Sequence, residues 1–192
     1  MKTLPTLSLL LVAASLAACS GAPLRDEAGW FGARLKSAVR KPGDAGQESF
    51  TFSNGDRLVG HFRGGQVVGR ATVFYADGRQ YTGEFRDNRI HGNGTLLFAN
   101  GDRYDGEFVH GRRHGSGTYR FATGGRYAGS FASDQISGYG SFVYGNGDRY
   151  TGQVKDGAHH GLGRMEFADG RAPLEGRWER GEFAWPQKLK GF

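Results

Sequence analysis

Cysteine is almost missing from this chain. Cys19 is the only one in 192 residues, so no disulfide framework can form within it. Phosphate-cradling loops are missing as well. No Gly-Lys-Ser or Gly-Lys-Thr occurs, and no helix follows the glycine-rich stretches as such a loop requires. No serine stands in a Gly-x-Ser-x-Gly between strand and helix, and Gly115-Ser116-Gly117 belongs to a repeat instead. Carboxylates do not cluster with the histidines, and no second cysteine is on hand to complete a metal site. His91, His114 and His160 recur at one position of a repeating unit, but equivalent atoms would stand about 10 Å apart, two strand spacings. One tetrahedral ion needs each ligand at ~2 Å. His110 and His159 add no carboxylate or thiolate partner. No metal and no cofactor is therefore expected, and the histidines read as polar residues ending a turn.

Glycine is abundant, with 34 residues, and it is periodic. A unit of 23 residues recurs five times without a gap, as 58–80, 81–103, 104–126, 127–149 and 150–172. Positions within a unit are called slots below. Slots three, twelve and twenty-one are always glycine, and slot fourteen is glycine except for Ala71. Low-complexity Gly-rich chains carry no such period, so these glycines are structural. Self-similarity at a short fixed period marks a repeat architecture in which each unit buries its apolar surface against its neighbours. Such a protein presents a long surface and no single deep cleft, which favours recognition over catalysis.

Two turns per unit are legible. Asp77-Gly78, Asn100-Gly101, Asn146-Gly147 and Asp169-Gly170 are hairpin signals, read as primed turns in which both residues take positive φ. Asn54-Gly55 adds a half-unit at 52–57. The second turn falls at Gly64-Gly65, Asp87-Asn88, His110-Gly111, Ser133-Asp134 and Asp156-Gly157. Two turns imply two short strands per unit. Along the first, Tyr81, Gly83 and Phe85 alternate with Thr82 and Glu84; along the second, Gly92, Gly94, Leu96 and Phe98 share one side. Period two with aromatics on one face is the pattern of a half-buried strand, and a glycine beside an aromatic leaves room for a neighbouring ring. The expected fold is all-β: an elongated single-layer antiparallel sheet of tandem β-hairpins, curved, its glycines covered by stacked Tyr and Phe. Ten strands at ~4.8 Å would run about 50 Å. Glu84 and Glu107 share a column and read as cross-strand partners for Arg and Lys rather than as an acid–base pair.

The Tyr-x-Gly-x-Phe opening, the Gly-x-Gly centre and the Asn-Gly-Asp-Arg close resemble the membrane occupation and recognition nexus (MORN) repeat. The resemblance implies the elongated hairpin array argued above. Departures are Leu58 for the leading Tyr, Val154 for Phe in the fifth unit, and Ala172-Pro173 at the end. Leu174, Gly176 and Trp178 read as a sixth, broken opening strand offset by one residue, and Phe183, Trp185 and Pro186 as a cap on the open edge.

The amino-terminal end reads as an address. Lys2, an apolar run around residues 7–14 and small residues before Cys19 make a secretory signal peptide, too short and too lightly flanked for a spanning helix. Leu16-Ala17-Ala18-Cys19 resembles a bacterial lipoprotein lipobox, which implies acylation of Cys19 as the mature amino terminus; Ser20 implies the outer membrane. Between there and the repeats, Trp30, Phe31, Leu35, Ala38 and Val39 fall on one side of a candidate short helix, read as a cover for the first edge strand or as an interfacial helix, with the cover favoured. The 42–46 stretch, Pro-Gly-Asp-Ala-Gly, reads as a loop. The expected division is signal peptide 1–18, lipidated cysteine and linker 19–49, repeat array 50–178 and carboxy-terminal cap 179–192.

The charge balance is basic: 25 Lys and Arg against 19 Asp and Glu leave +6. Arg79, Arg103, Arg126, Arg149 and Arg171 close the units and would form a stripe along one edge, suited to anionic headgroups or acidic glycans. An exported lipoprotein meets little nucleic acid, so none is expected. The competing role for each Arg is an ion pair with a neighbouring Asp (Asp102, Asp148) or stacking on the following Tyr. The expected function is a non-enzymatic, lipid-anchored scaffold of the bacterial cell envelope that binds another envelope protein. Tyr81, Phe85, Tyr104, Phe108, Tyr127, Phe131 and Tyr150 are the expected contact residues, since large rigid aromatics make good anchors. Direct binding of membrane lipid or cell-wall polymer through the Arg edge is the alternative.

Overall fold

The computed structural model describes the backbone of residues 39–42 and, in full, residues 46–184. Fourteen strands pair in chain order into one antiparallel sheet. They are β1 (Val39–Pro42), β2 (Glu48–Thr51), β3 (Arg57–Arg63), β4 (Gln66–Phe74), β5 (Gln80–Arg86), β6 (Arg89–Leu97), β7 (Arg103–Val109), β8 (Arg112–Arg120), β9 (Gly125–Ala132), β10 (Gln135–Tyr144), β11 (Arg149–Lys155), β12 (Ala158–Glu166), β13 (Leu174–Glu179) and β14 (Glu182–Ala184). No α-helix occurs among the described residues. The all-β, single-sheet expectation is therefore met by the described part of the chain.

The two turns of each unit differ in a way the dipeptides did not disclose. The primed turn, with two successive residues at positive φ, sits at slots seven and eight: Asp87 (52°) with Asn88 (57°), and Ser133 (47°) with Asp134 (71°). At Asn100-Gly101, by contrast, only the glycine has positive φ (90°). There the Gly101 N–H donates to the Phe98 carbonyl at 3.0 Å and the Phe98 N–H to the Asp102 carbonyl at 2.9 Å. Those bonds close a three-residue loop with a left-handed glycine. The asparagine serves through its side chain: Asn100 Oδ1 accepts from the Asp102 N–H at 3.0 Å and its Nδ2 donates to Asp102 Oδ2 at 3.0 Å.

Register then builds the core. Gly60, Ala71, Gly83, Gly94, Gly106 and Gly117 pair in succession across β3–β8, and the row continues through Gly129, Gly140, Gly152, Gly163 and Gly176 to β13. Beside this row runs a second of large side chains, Leu96–Tyr104–Tyr119–Tyr127–Phe142–Tyr150. Each slot-one tyrosine lies over the glycines of its own hairpin and donates its hydroxyl to the carbonyl three residues on: Tyr81 to Glu84 (3.0 Å), Tyr104 to Glu107 (3.0 Å), Tyr127 to Ser130 (3.1 Å) and Tyr150 to Gln153 (2.7 Å). Successive units interlock edge-on, with Tyr81 to Phe108 at 5.1 Å and Tyr104 to Phe131 at 4.9 Å between ring centres. A Cβ on Gly117 would lie 2.5 Å from the Tyr104 hydroxyl, so the row has no room for alanine where a tyrosine covers it. Each full hairpin carries a register shift between slots three and five, where the returning strand takes extra residues and bends.

Beside the buried turn residues Asp56, Asn88 and Asp102, two larger polar side chains are buried at slot ten of the returning strands. Arg113 is buried, bonded to Asp134 (Nε to Oδ1 3.1 Å, Nη2 to the carbonyl 2.8 Å), with Phe98, Tyr104, Tyr119 and Phe131 around its guanidinium at 5.7–5.9 Å. His159 is fully buried, stacked on Tyr150 at 3.6 Å and edge-on to Trp178, with Nε2 2.6 Å from the Tyr144 hydroxyl. Its Nδ1 has no hydrogen-bond partner in either tautomer, and burial lowers its pKa to about 4.

The ends depart from expectation. Val39, placed on the covering helix, opens strand β1, and Pro42, placed in a loop, closes it. The first edge is therefore extended by a strand, because Val39–Pro42 pairs with Glu48–Thr51. Residues 30–38 lie outside the described part. At the other end the offset unit forms as read: Leu174, Gly176 and Trp178 pair with Met165, Gly163 and Gly161. Phe183 lies in β14 and packs edge-on against Trp178 at 5.1 Å, while Trp185 and Pro186 lie outside the described residues. The sheet is thus wider than residues 50–178.

Overpacking a core costs about 1–3 kcal/mol; Gly117→Ala should destabilise by that amount in urea titration. Tyr104→Phe, which removes only the hydroxyl bond, should cost about 1 kcal/mol. His159 yields a pH window with a definite sign. The unfolded histidine takes a proton near 6.5, whereas the folded one resists it to about 4. Its share of stability, on the order of 3 kcal/mol, is complete above pH 6.5 and lost as pH falls toward 4. His159→Phe should flatten urea midpoints across that window; an unchanged slope would mean another group titrates there.

Candidate interaction surface

The aromatic residues expected to touch a partner are core. Tyr81, Tyr104, Tyr127 and Tyr150 are 0% exposed, and Phe108, Phe131 and Phe85 are 1%, 3% and 8% exposed. The glycine row brings the backbone so close under the rings that each unit seals its neighbour's aromatics from solvent. Burial raises the phenol pKa values of Tyr104 and Tyr144, and lifts that of Tyr150 to about 12, so these hydroxyls stay protonated donors. The accessible surface is the other face, carrying the even slots of each opening strand and the odd slots of each returning one.

That face is built from short polar ladders. Thr72 and Thr82 hydroxyls meet at 3.0 Å, Thr95 donates to Asp105 at 2.7 Å, and Thr151 donates to Ser141 at 3.3 Å. Asp105 also takes Arg103 of its own strand and Arg120 of β8, each at 2.6 Å. The Arg103 hydrogen bond holds the Asp105 carboxyl below its ordinary range, and the same bond raises the arginine. Slot four has a role the sequence did not suggest. Glu107 Oε1 accepts the Ser116 N–H at 2.8 Å and Gln153 Oε1 the Leu162 N–H at 2.9 Å, so each caps an amide on the bulged returning strand. The cross-strand role expected for the glutamates appears only at Glu84, 3.8 Å from Arg70.

The arginine stripe divides. Arg103, Arg126 and Arg149 occupy slot twenty-three and project from the accessible face, whereas Arg79 and Arg171 stand one position earlier. A one-residue offset in a period-two element reverses the face. Arg79 pairs with Asp77 at 2.8 Å and lies 5.0 Å from the Tyr75 ring centre; Arg171 pairs with Asp169 at 3.3 Å and lies 3.6 Å from that of Phe167. Arg103 pairs with Asp105 rather than Asp102. Asp102 is buried, accepting from the Ala122 N–H at 2.8 Å and the Tyr119 hydroxyl at 2.6 Å.

A double period underlies this. Slot twenty-two reads Asp56, Arg79, Asp102, Gly125, Asp148, Arg171, and slot eight reads Gly65, Asn88, Gly111, Asp134, Gly157. Asp56 and Asp148 repeat the Asp102 bond, to the amides of Ala76 (2.8 Å) and Ala168 (2.9 Å). Asn88 and Asp134 each accept an amide one unit back, Val67 at 2.8 Å and Arg113 at 3.0 Å. Turn-bridging side chains thus recur every second unit, a signal visible in the departures from the repeat. Of the histidines, His91 and His110 lie 5.8 Å apart between ring centres. Burial, then Arg86 and His110, lower the His91 pKa. No three His, Cys, Asp or Glu side chains come together as a metal site among the described residues. Cys19 lies outside them.

The exposed large apolar residues of the accessible face include Tyr139 (60%) and Leu162 (69%), which share slot thirteen in adjacent units. Arg70, Asn93 and Ser116 fill that slot elsewhere.

No curated protein matches the chain. Among solved structures it is similar to the TCP domain of SAS-4 (dCPAP) of Drosophila melanogaster, in complex with a proline-rich motif of Ana2 (dSTIL). The two are 13% identical over 72% of this chain and 77% of that chain, with a TM-score of 0.50. The TCP10c domain of Drosophila melanogaster Sas-4 is 11% identical over 73% of this chain and 99% of that chain, with a TM-score of 0.36. At such identities the likeness to the first is one of fold. The model of the MORN repeat matches residues 81–103, 104–126, 127–149 and 150–170, the units whose hairpins carry the tyrosine-over-glycine packing. Residues 81–170 of this chain are four consecutive MORN repeats.

Proposed function

We propose that this chain is a non-catalytic, lipid-anchored protein of the bacterial cell envelope whose repeat sheet is a platform for another envelope protein. The observation that carries the reading is the unequal use of the two faces. The aromatics are spent on the sheet's own core, and the opposite face stays accessible across the array, fitted with polar ladders and unsealed apolar side chains. A repeat array of this kind is a scaffold by construction, since each unit adds surface without adding a pocket. The fold likeness to a TCP domain solved with a bound proline-rich motif supports protein binding. The anchor rests on Leu16-Ala17-Ala18-Cys19, where two or three acyl chains give stable attachment and one does not.

A second reading, direct contact with anionic lipid or acidic glycan, is favoured by one observation. Arg126 and Arg149 project from the accessible face and form no ion pair among the described residues. The two readings separate by salt, because exposed charge contacts weaken as ionic strength rises and apolar ones do not.

Cys19→Ser should move the chain from the membrane to the soluble fraction of lysed cells; retention would refute the anchor. Crosslinking of the full-length chain in cells should return a protein neighbour. Salt-sensitive pelleting with vesicles or cell-wall polymer, without a protein crosslink, would overturn the scaffold in favour of the second reading.

A further inference from the structure

We infer that the accessible face over β9–β12 binds an extended acidic segment of a protein partner, with an apolar side chain resting on Tyr139 and Leu162 above Gln153 and carboxylates at Arg126 and Arg149. The inference rests on the scaffold reading and names the surface and the partner chemistry. Tyr139 and Leu162 stand at one slot of adjacent units, two strands or about 10 Å apart, and Gln153, opposite Tyr139 in register and bonded to the Leu162 N–H at 2.9 Å, forms the floor between them. Both are more exposed than the other large apolar side chains of the described residues. Nothing in the core needs them, since both point away from the aromatic row.

Charge decides the occupant. Val143 of β10 pairs with Arg126 on one side and Arg149 on the other. Neither arginine has an ion pair among the described residues, whereas Arg164 is held by Glu166 (3.1 Å) and Glu175 (2.9 Å) and Arg177 by Glu179 (3.4 Å). The unspent positive charge therefore lies on β9 and β11, which alternate with the β10 and β12 of the apolar pair; Glu166, opposite Arg149 in register, is taken by Arg164. Between the two stand Ser141 and Thr151, paired across β10 and β11, short enough to leave a shallow floor. Along β10, Tyr139 is four residues from Val143, about 13 Å in a strand. An extended segment running along the strands would span the same distance with an apolar residue and a carboxylate four positions apart.

The test is fluorescence anisotropy with the full chain in mild detergent. The probe is fluorescein-labelled Ser-Leu-Leu-Ser-Gly-Ser-Glu-Glu-Ser, which carries that spacing. It should bind, and peptides with Lys for Glu or Ser for Leu should bind about tenfold more weakly, a loss typical of one removed anchor. The paired variants Tyr139→Ser with Leu162→Ser, and Arg126→Gln with Arg149→Gln, should each weaken the Glu peptide about tenfold at unchanged circular dichroism, because all four residues are exposed. Absence of binding, equal affinity for the Lys peptide, or variants that bind like the parent would overturn the assignment. So would displacement of the peptide by phosphatidylglycerol vesicles, which would give the arginines to lipid. A protein crosslinked in cells equally well by the Tyr139→Ser, Leu162→Ser variant overturns this surface and leaves the scaffold reading standing. Absence of any protein crosslink brings down the scaffold reading itself.

Discussion

One steric constraint underlies the rest: a row of glycines, broken only by Ala71, crosses the sheet strand by strand from β3 to β13, and in the second to fifth units a tyrosine ring lies on it. A sheet one layer thick has no opposing layer to bury its apolar face. Here the backbone takes that part. Rings lie down on glycine instead of standing up from the pleat, and each hydroxyl ends on a carbonyl of its own strand. Trp178 takes the slot-five place at the last unit, edge-on to Tyr150 at 5.4 Å, with its Nε1 donating to the Gly163 carbonyl of the neighbouring strand at 3.0 Å. Packing thereby becomes local: a unit depends on its neighbours, and the array can lengthen without a growing core.

The bulges follow from that packing. A ring can lie flat only where the sheet bends, and the extra residues on each returning strand supply the bend, with slot-twelve glycines at left-handed φ. Bulging frees an amide, and a slot-four side chain takes it up in the third and fifth units. The turn-bridging Asp and Asn groups recur at every second unit. Arg113 and His159 sit at one slot two units apart in that alternation, where a buried polar group accompanies a denser set of aromatic contacts.

Function follows from which face is left over. Had the aromatics stayed exposed, they would have been the natural anchors for a partner. Sealed as they are, they leave accessible a face of hydroxyls, capped bulges and isolated apolar side chains. The surplus of arginine there is partial, because Asp105, Glu166, Glu175 and Glu179 answer several of them. What is left is local at Arg126 and Arg149, and local charge favours a specific contact over a diffuse field.

Much of the architecture was legible from residue order. Glycine spacing, turn dipeptides and period-two alternation determined an antiparallel hairpin array and its unit boundaries, including the offset unit opened by Leu174, Gly176 and Trp178. They also assigned the residues to two faces, because alternation along a strand is a local property of the backbone. The turn types were harder: Asn100-Gly101 reads as a primed turn until the Phe98 and Asp102 hydrogen bonds show a three-residue loop. The arginine stripe failed by one position, since Arg79 and Arg171 share a residue type with Arg103 but not its parity. Only tertiary structure could decide which face is sealed. Burial of Tyr104 depends on how sharply neighbouring strands bend together, and that curvature is a property of the paired sheet that no single strand's sequence contains.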